Sequence, residues 1–174
     1  MRRAAGPGRT EAYEEIEPGG EPYDLLYAAA ALHWTRPEGR WDRAAALVRS
    51  GGVVATFGGP IDIGDDELAA AELDVVAPYL PGHHIDPPSA GAGGLDWPGD
   101  ELLADDRFTD VSQLSVPRRM IMSRADYLRH LNTISAYRML PGPEREAIFA
   151  ELDRLLPDDI PVKADLTLHL ARRI

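Results

Sequence analysis

The run Val53-Val54-Ala55-Thr56-Phe57 constrains the fold more than any other segment. It follows the turn residues Ser50-Gly51-Gly52 and stops at Gly58-Gly59-Pro60, which predicts a short buried strand. Before it, Arg40 to Arg49 reads as a helix with Trp41, Ala44, Ala45, Leu47 and Val48 on one stripe, closed by a glycine suited to the left-handed cap. Ahead of that helix, Tyr23-Asp24-Leu25-Leu26-Tyr27-Ala28-Ala29 follows Pro22 and reads as a strand buried on both faces, as in a parallel sheet. A helix is the competing reading there, because Ala and Leu favour one. Strand, helix, glycine turn and strand compose a βαβ unit, so two parallel strands with a right-handed crossover are expected.

Downstream, Asp65 to Tyr79 opens on an acidic turn and closes near Pro78 and Pro81, which predicts a second helix. Residues 81–100 form a long loop rich in Pro and Gly, and such loops in compact domains are functional or mobile. Phe108 to Val116 alternates Val111, Gln113 and Ser115 against Ser112, Leu114 and Val116, as a strand does. Ser123 is placed to cap a helix through about Leu131, with Asp126 as its capping-box relative. Pro143 suits the first turn of a helix over Glu144 to Leu155. Lys163 to Ala171 alternates Ala164, Leu166, Leu168 and Leu170 against Asp165, Thr167 and His169, and reads as one closing strand. Residues 1–10 have no periodicity and read as a mobile start.

Composition narrows the function classes. The chain has 174 residues, 44% hydrophobic and 27% charged, which supports one globular domain. The absence of cysteine excludes a disulfide framework, a CxxC zinc site and a thiol nucleophile. A net charge of −11 argues against nucleic acid. No apolar run reaches the roughly 18 residues of a membrane span. No apolar stretch follows Met1-Arg2-Arg3 either, so the expected location is cytoplasmic. His83, His84 and Asp86 lack metal-ligand spacing and read as a solvated loop. Asp62, Asp65, Asp66 and Glu67 read as an acidic helix start, not a Ca²⁺ loop. No metal is expected.

The stretch Tyr23 to Trp34, a helix, and then Leu47-Val48-Arg49-Ser50-Gly51-Gly52-Val53-Val54-Ala55 resembles the middle of class I S-adenosylmethionine-dependent methyltransferases. The similarity is to their small-molecule group, which includes trans-aconitate and ubiquinone-pathway methyltransferases. In that family the fourth strand begins with an aromatic-Asp pair, here Tyr23-Asp24, and often ends in His-Trp, here His33-Trp34. The tail fits as well, through Ser123-Arg124-Ala125-Asp126-Tyr127-Leu128, Thr133-Ile134-Ser135-Ala136-Tyr137 and Leu168-His169-Leu170-Ala171-Arg172-Arg173. Ser50 stands where the family usually has Pro, and Ala12 where it often has Asp.

The resemblance implies an α/β fold: a partial Rossmann-like sheet of the fourth to seventh strands, mostly parallel with an antiparallel C-terminal strand, flanked by helices. It implies a single domain over residues 1–174, the C-terminal two-thirds of the family fold. It implies S-adenosylmethionine as cofactor and methyl transfer to a small-molecule acceptor. Tyr13, Ala29, Leu32, His33 and Trp34 are the implied cofactor contacts, His33 doubles as a candidate general base, and Tyr137 is the candidate for the substrate pocket. The family's Gly-rich turn after its first strand, and the acidic residue ending its second, have no counterpart in these residues. The chain reads as starting near the end of the third strand, on the order of 60–90 residues into the family fold. Two readings therefore stand side by side. One is a methyltransferase of this family. The other is a catalytically silent relative that meets a protein partner, or itself, through the apolar strand edge that the first strand would cover.

Overall fold

The computed structural model describes residues 11–81 and 94–174. The readings made for residues 1–10 and for His83, His84 and Asp86 lie outside the described residues. In chain order the elements are β1 (Tyr23–Ala29), α1 (Arg40–Leu47), β2 (Val48–Gly58), β3 (Asp62–Ile63), α2 (Asp66–Val76), α3 (Gly99–Ala104), β4 (Phe108–Val116), β5 (Arg119–Ser123), α4 (Arg124–Leu131), α5 (Ser135–Arg138), α6 (Gly142–Leu155), β6 (Asp159–Lys163) and β7 (Leu166–Arg173). They belong to two compact units. The first takes residues 11–57, 94–114 and 168–174, the second residues 58–81 and 115–167. Among the described residues no helix is long and apolar enough to cross a membrane.

The first unit is built on a sheet ordered β1-β2-β7-β4. β1 and β2 are parallel, with Leu25 to Ala29 against Val53 to Phe57, and α1 is their crossover. The helix stops at Leu47, before the expected Arg49, and Val48 is already extended. The glycine pair therefore lies inside the strand and does not cap the helix. Gly51 takes φ +75°, and a Cβ on Gly52 would lie 2.6 Å from Val48 Cγ1 and 3.0 Å from the Asp24 carbonyl oxygen. The pairing slips at that point, with Tyr23 opposite Val48 but Leu25 opposite Val53.

β7 runs antiparallel to both neighbours. Against β4, His169 meets Gln113, Arg172 meets Asp110, and the Ile174 N–H donates to the Arg107 carbonyl, so partner numbers fall as β7 advances. Against β2, Arg172 donates to the Gly51 carbonyl while Leu166 lies beside Gly59. The expected mostly parallel sheet is thus corrected: the sheets are mixed and mostly antiparallel. The cause is connectivity, since the single-helix crossover that restores strand direction joins only β1 to β2.

Ala44, Ala45, Val48, Val54, Leu102, Phe108 and Ala171 form the buried core of this unit, with Leu26, Trp41 and Val111 packed around it. The expectation that β1 is buried on both faces is also corrected. Leu26 packs on the core, but Tyr23, Leu25 and Tyr27 are 54%, 51% and 64% exposed. An apolar run signals what a strand can bury and not what is there to cover it.

The second unit carries the antiparallel sheet β3-β6-β5, with Asp62 opposite Lys163 and Arg119 to Ser123 opposite Lys163 to Asp159. The closing strand read over Lys163 to Ala171 is two strands. Between them, the Ala164 N–H donates to the Arg118 carbonyl at 3.0 Å, and Asp165 accepts from the Arg118 N–H at 2.9 Å, which holds the chain in a break. The helix caps follow from the sequence: Asp65 accepts from the Leu68 N–H, and Ser123 from that of Asp126. Ile63, Val76, Tyr127, Leu131, Tyr137, Ile148, Leu152, Leu156, Ile160 and Val162 are the core.

One polar tie crosses this core's edge. The Tyr127 hydroxyl donates to both Glu72 oxygens, at 2.9 and 3.1 Å. Burial raises the Glu72 pKa above its ordinary 4.5, with Tyr127 opposing the rise and Asp62 adding to it. A carboxylate with a raised folded-state pKa stabilises fully below its unfolded pKa, and that contribution is lost as pH rises through the folded value. Wild type should therefore gain stability over Glu72→Gln as the pH falls from neutral toward 4.5. Urea midpoints of the two proteins at matched pH values measure it, and a constant difference between them would remove Glu72 as the source.

Candidate functional site

The candidate site lies in the first unit, beyond the carboxyl ends of the parallel strands β1 and β2, where open α/β sheets bind ligands. Ala28 pairs with Thr56 and Ala29 with Phe57. At Ala30 the chain turns with φ 47°, a left-handed conformation that costs any residue carrying a Cβ, and the Ala30 N–H donates to the Phe57 carbonyl at 2.7 Å. A single 3-10 turn, Leu32–Trp34, follows. The Thr35 hydroxyl closes it by donating to the Leu32 carbonyl at 2.7 Å.

A buried arginine fixes this turn from behind. Arg40 is 4% exposed. Its Nε donates to the Thr35 hydroxyl at 2.7 Å and one Nη to the Thr35 carbonyl at 2.8 Å. The other Nη pairs with Glu101 at 3.4 Å, and the guanidinium lies 5.4 Å from the centre of the Trp97 ring. Glu101 also accepts from the indoles of Trp41 at 2.8 Å and Trp97 at 3.0 Å. The charge thus has both a counter-ion and hydrogen bonds, as a buried cation requires.

The segment holding Tyr13 joins the same turn. The Tyr13 hydroxyl donates to the Arg40 carbonyl at 2.8 Å, and burial pushes its pKa up to about 12. Glu14 accepts the Arg36 N–H at 2.9 Å, and that hydrogen bond lowers its pKa. Tyr13 is therefore a neutral donor already engaged by backbone, and its ring is the part that remains for a ligand. His33 and Trp34 are exposed, with ring centres 4.8 Å apart at 46°. Ala29 is exposed and Leu32 half-buried.

Five of the six site residues read from sequence thus fall in one unit. The sixth, Tyr137, belongs to the other, 2% exposed in its core and edge-on to Phe149 at 5.8 Å. Burial and then Glu72 raise its hydroxyl pKa. Among the acidic run, Asp65 caps α2 and Asp66 pairs with Lys163 at 3.4 Å. Among the described residues no group of three or more His, Asp or Glu side chains is arranged to hold a metal ion.

Sequence reading passes over Arg40, Trp97 and Glu101. Two signals for them exist. A basic residue in the first turn of a helix works against the helix dipole, so Arg40 needs another reason to be there. Trp97 and Glu101 are four apart, the spacing that lets side chains meet at a helix start.

A second polar network pins residues 94–98. Gln113 donates to the Asp96 carboxylate at 2.7 Å and accepts the Asp96 N–H at 2.8 Å. Its oxygen also lies 2.9 Å from His169 Nε2. An amide whose nitrogen is committed to a carboxylate offers only its oxygen, so His169 is the Nε2–H tautomer. Burial lowers the His169 pKa, consistent with that neutral form.

No protein-family model matches the chain, and no curated protein does. Solved structures do. A protein provisionally named a type II methyltransferase, from Anaeromyxobacter dehalogenans, aligns over 87% of this chain with a TM-score of 0.53 and 20% identity. A protein provisionally named a methyltransferase, from Bacillus halodurans C-125, aligns over 93% of this chain and 69% of its own, with a TM-score of 0.44 and 13% identity. Phosphoethanolamine N-methyltransferase 2 of Haemonchus contortus, in complex with phosphomonomethylethanolamine and S-adenosylhomocysteine, aligns over 88% of this chain and 34% of its own, with a TM-score of 0.35 and 12% identity. This chain spans 65% of the Anaeromyxobacter structure, and what that likeness shows is the fold: a methyltransferase-like α/β sheet with flanking helices.

Proposed function

We propose that this chain serves S-adenosylmethionine-dependent methyl transfer to a small-molecule acceptor, with the family's Gly-rich cofactor motif not among these 174 residues. One observation carries the reading: the methyltransferase-like fold sets a short, open, alanine-rich turn at the carboxyl end of its parallel strand pair.

The residues present fit one wall of an adenosyl group. Ala28 to Ala31 add little bulk, so a flat ligand can approach the backbone, and His33, Trp34 and the Tyr13 ring supply apolar and aromatic surface nearby. Among the described residues the Thr56 hydroxyl, beside Ala28 in the register, is buried without a hydrogen-bond partner. It is an unmet polar group of the kind that functional sites retain. A Gly-rich turn for the methionine part and an acid for the ribose are not among these residues. S-adenosylmethionine, when bound, supplies an electrophilic methyl group on a sulfonium. The work left to this chain is alignment and exclusion of water. Arg40 contributes by holding the Leu32–Trp34 turn rigid, and so acts through position.

Calorimetric titration with S-adenosylmethionine tests the reading. Saturable binding at one site is expected, weakened about tenfold in Trp34→Ala. No binding by a chain that circular dichroism finds folded would overturn it for these residues alone. The specific observation that β1 ends its sheet with exposed apolar residues favours a second reading, a silent relative that works through protein contact at that edge.

A further inference from the structure

The second reading leaves open what meets β1, and the strand itself narrows the answer. β1 stands at the end of the order β1-β2-β7-β4, so among the described residues no strand pairs on its outer side. Its backbone is phased. The Asp24 carbonyl oxygen would lie 3.0 Å from a Cβ on Gly52 of β2, and just past the strand the Ala30 N–H donates to the Phe57 carbonyl, in the parallel register that sets Leu25 beside Val53 and Ala29 beside Phe57. The even residues thus turn their backbone groups toward β2, and Tyr23, Leu25 and Tyr27 turn theirs outward. The same three residues carry the exposed apolar side chains. Tyr27 stacks on Phe57 with ring centres 6.1 Å apart at 14°, which extends the patch onto β2.

The pattern Tyr23-x-Leu25-x-Tyr27 reads the same in both directions. We infer that β1 is a self-complementary edge that pairs antiparallel with β1 of a second copy of this chain, on a two-fold axis through Leu25. In that register Tyr23 lies opposite the partner's Tyr27, Leu25 opposite the partner's Leu25, and Tyr27 opposite the partner's Tyr23. Every outward N–H and C=O of the three residues meets a complement. Cross-strand aromatic pairs stabilise such ladders, and a two-fold contact closes on itself instead of propagating. Asp24, the one charged residue of the strand, is already paired with Arg49 at 2.6 Å. The net charge of −11 on each copy opposes association, so salt should strengthen the pair. A basic peptide on the same edge would instead be weakened by salt.

The inference rests on the open-edge reading and is independent of cofactor binding. The chain has no cysteine, so a single introduced thiol reports one position. Residues facing each other in a hydrogen-bonded antiparallel pair lie about 5.5 Å apart at Cα, within disulfide range. Leu25→Cys should give covalent dimer under mild oxidation at least about tenfold faster than Leu26→Cys or Leu114→Cys, which are off the axis. Wild type should sediment as a dimer that tightens with salt. Leu25→Lys should be monomeric with an unchanged circular dichroism spectrum, and the double variant Tyr23→Thr, Tyr27→Thr should repeat that result if the lysine disturbs folding.

A wild-type monomer across the dilution series, a dimer in which Leu25→Cys links no faster than Leu114→Cys, or an open aggregate would each overturn the inference. Hydrogen exchange in the Leu25→Lys variant separates this failure from failure of the open edge. Fast exchange at the backbone amides of positions 23, 25 and 27 means the edge is open and only the second copy is wrong. Protection there in a monomer means the edge is covered within the chain.

Discussion

Gly59→Ala should destabilise the second unit by about 3 kcal/mol, the upper end of what overpacking costs. A Cβ there would lie 1.8 Å from the Asp165 carbonyl oxygen and 3.0 Å from its carbon. Both are backbone atoms, so no side chain can rotate away to make room. Asp165 is itself held, since it accepts the Arg118 N–H and an Nη of Arg119. The clash therefore reaches the break between β6 and β7, not one contact. Gly19, where a Cβ would meet nothing within 4 Å among the described residues, is the control, and Gly19→Ala should be close to neutral. Urea unfolding followed by circular dichroism checks both. A Gly59→Ala midpoint equal to wild type would mean the close approach is not maintained.

Glu101→Leu should cost about 2 kcal/mol in the first unit, by stranding a buried charge and two indole donors. The carboxylate accepts from Arg40, Trp41 and Trp97 at once. Arg40 would keep its Thr35 bonds and the Trp97 ring but lose its counter-ion. The side chain of Glu101 is 39% exposed, and water at the vacated position moderates the loss. Glu101→Gln keeps one acceptor oxygen and should lose about half as much. Trp34, Trp41 and Trp97 are the three tryptophans of the chain, and all lie in the first unit. Tryptophan emission therefore reports this unit's unfolding without a contribution from the other. An unshifted transition in Glu101→Leu would show that Arg40 does not depend on the carboxylate.

Strong local patterns are legible in the sequence and tertiary facts are not. β1 and β4 match their expected spans to the residue, because apolar runs and alternation state a strand directly. Ser123 and Pro143 announce α4 and α6. β5 escapes notice, since Arg119-Met120-Ile121-Met122-Ser123 has little β-branching and becomes a strand by pairing with β6. The break at Ala164-Asp165 depends on Arg118, far away in sequence, so alternation runs straight through it. The exposure of Tyr23, Leu25 and Tyr27 depends on what covers them, which no local pattern records. The same holds for the site. His33 and Trp34 stand out as a pair, while Arg40, which fixes their turn, is marked in the sequence by no more than a basic side chain in a first helical turn.

The position of β7 between β2 and β4 also sets a timetable. Of these strands it is the last to leave the ribosome, yet it occupies the interior of the four-stranded sheet. Until it emerges, β2 and β4 have no common neighbour, and β1-α1-β2 must wait as a partly formed ribbon. The first unit is thus assembled after synthesis of its residues is complete, by closing contacts between segments far apart in the chain, a slow class of folding event. A nascent chain paused before Leu166 would present unpaired strand edges on both sides of the gap.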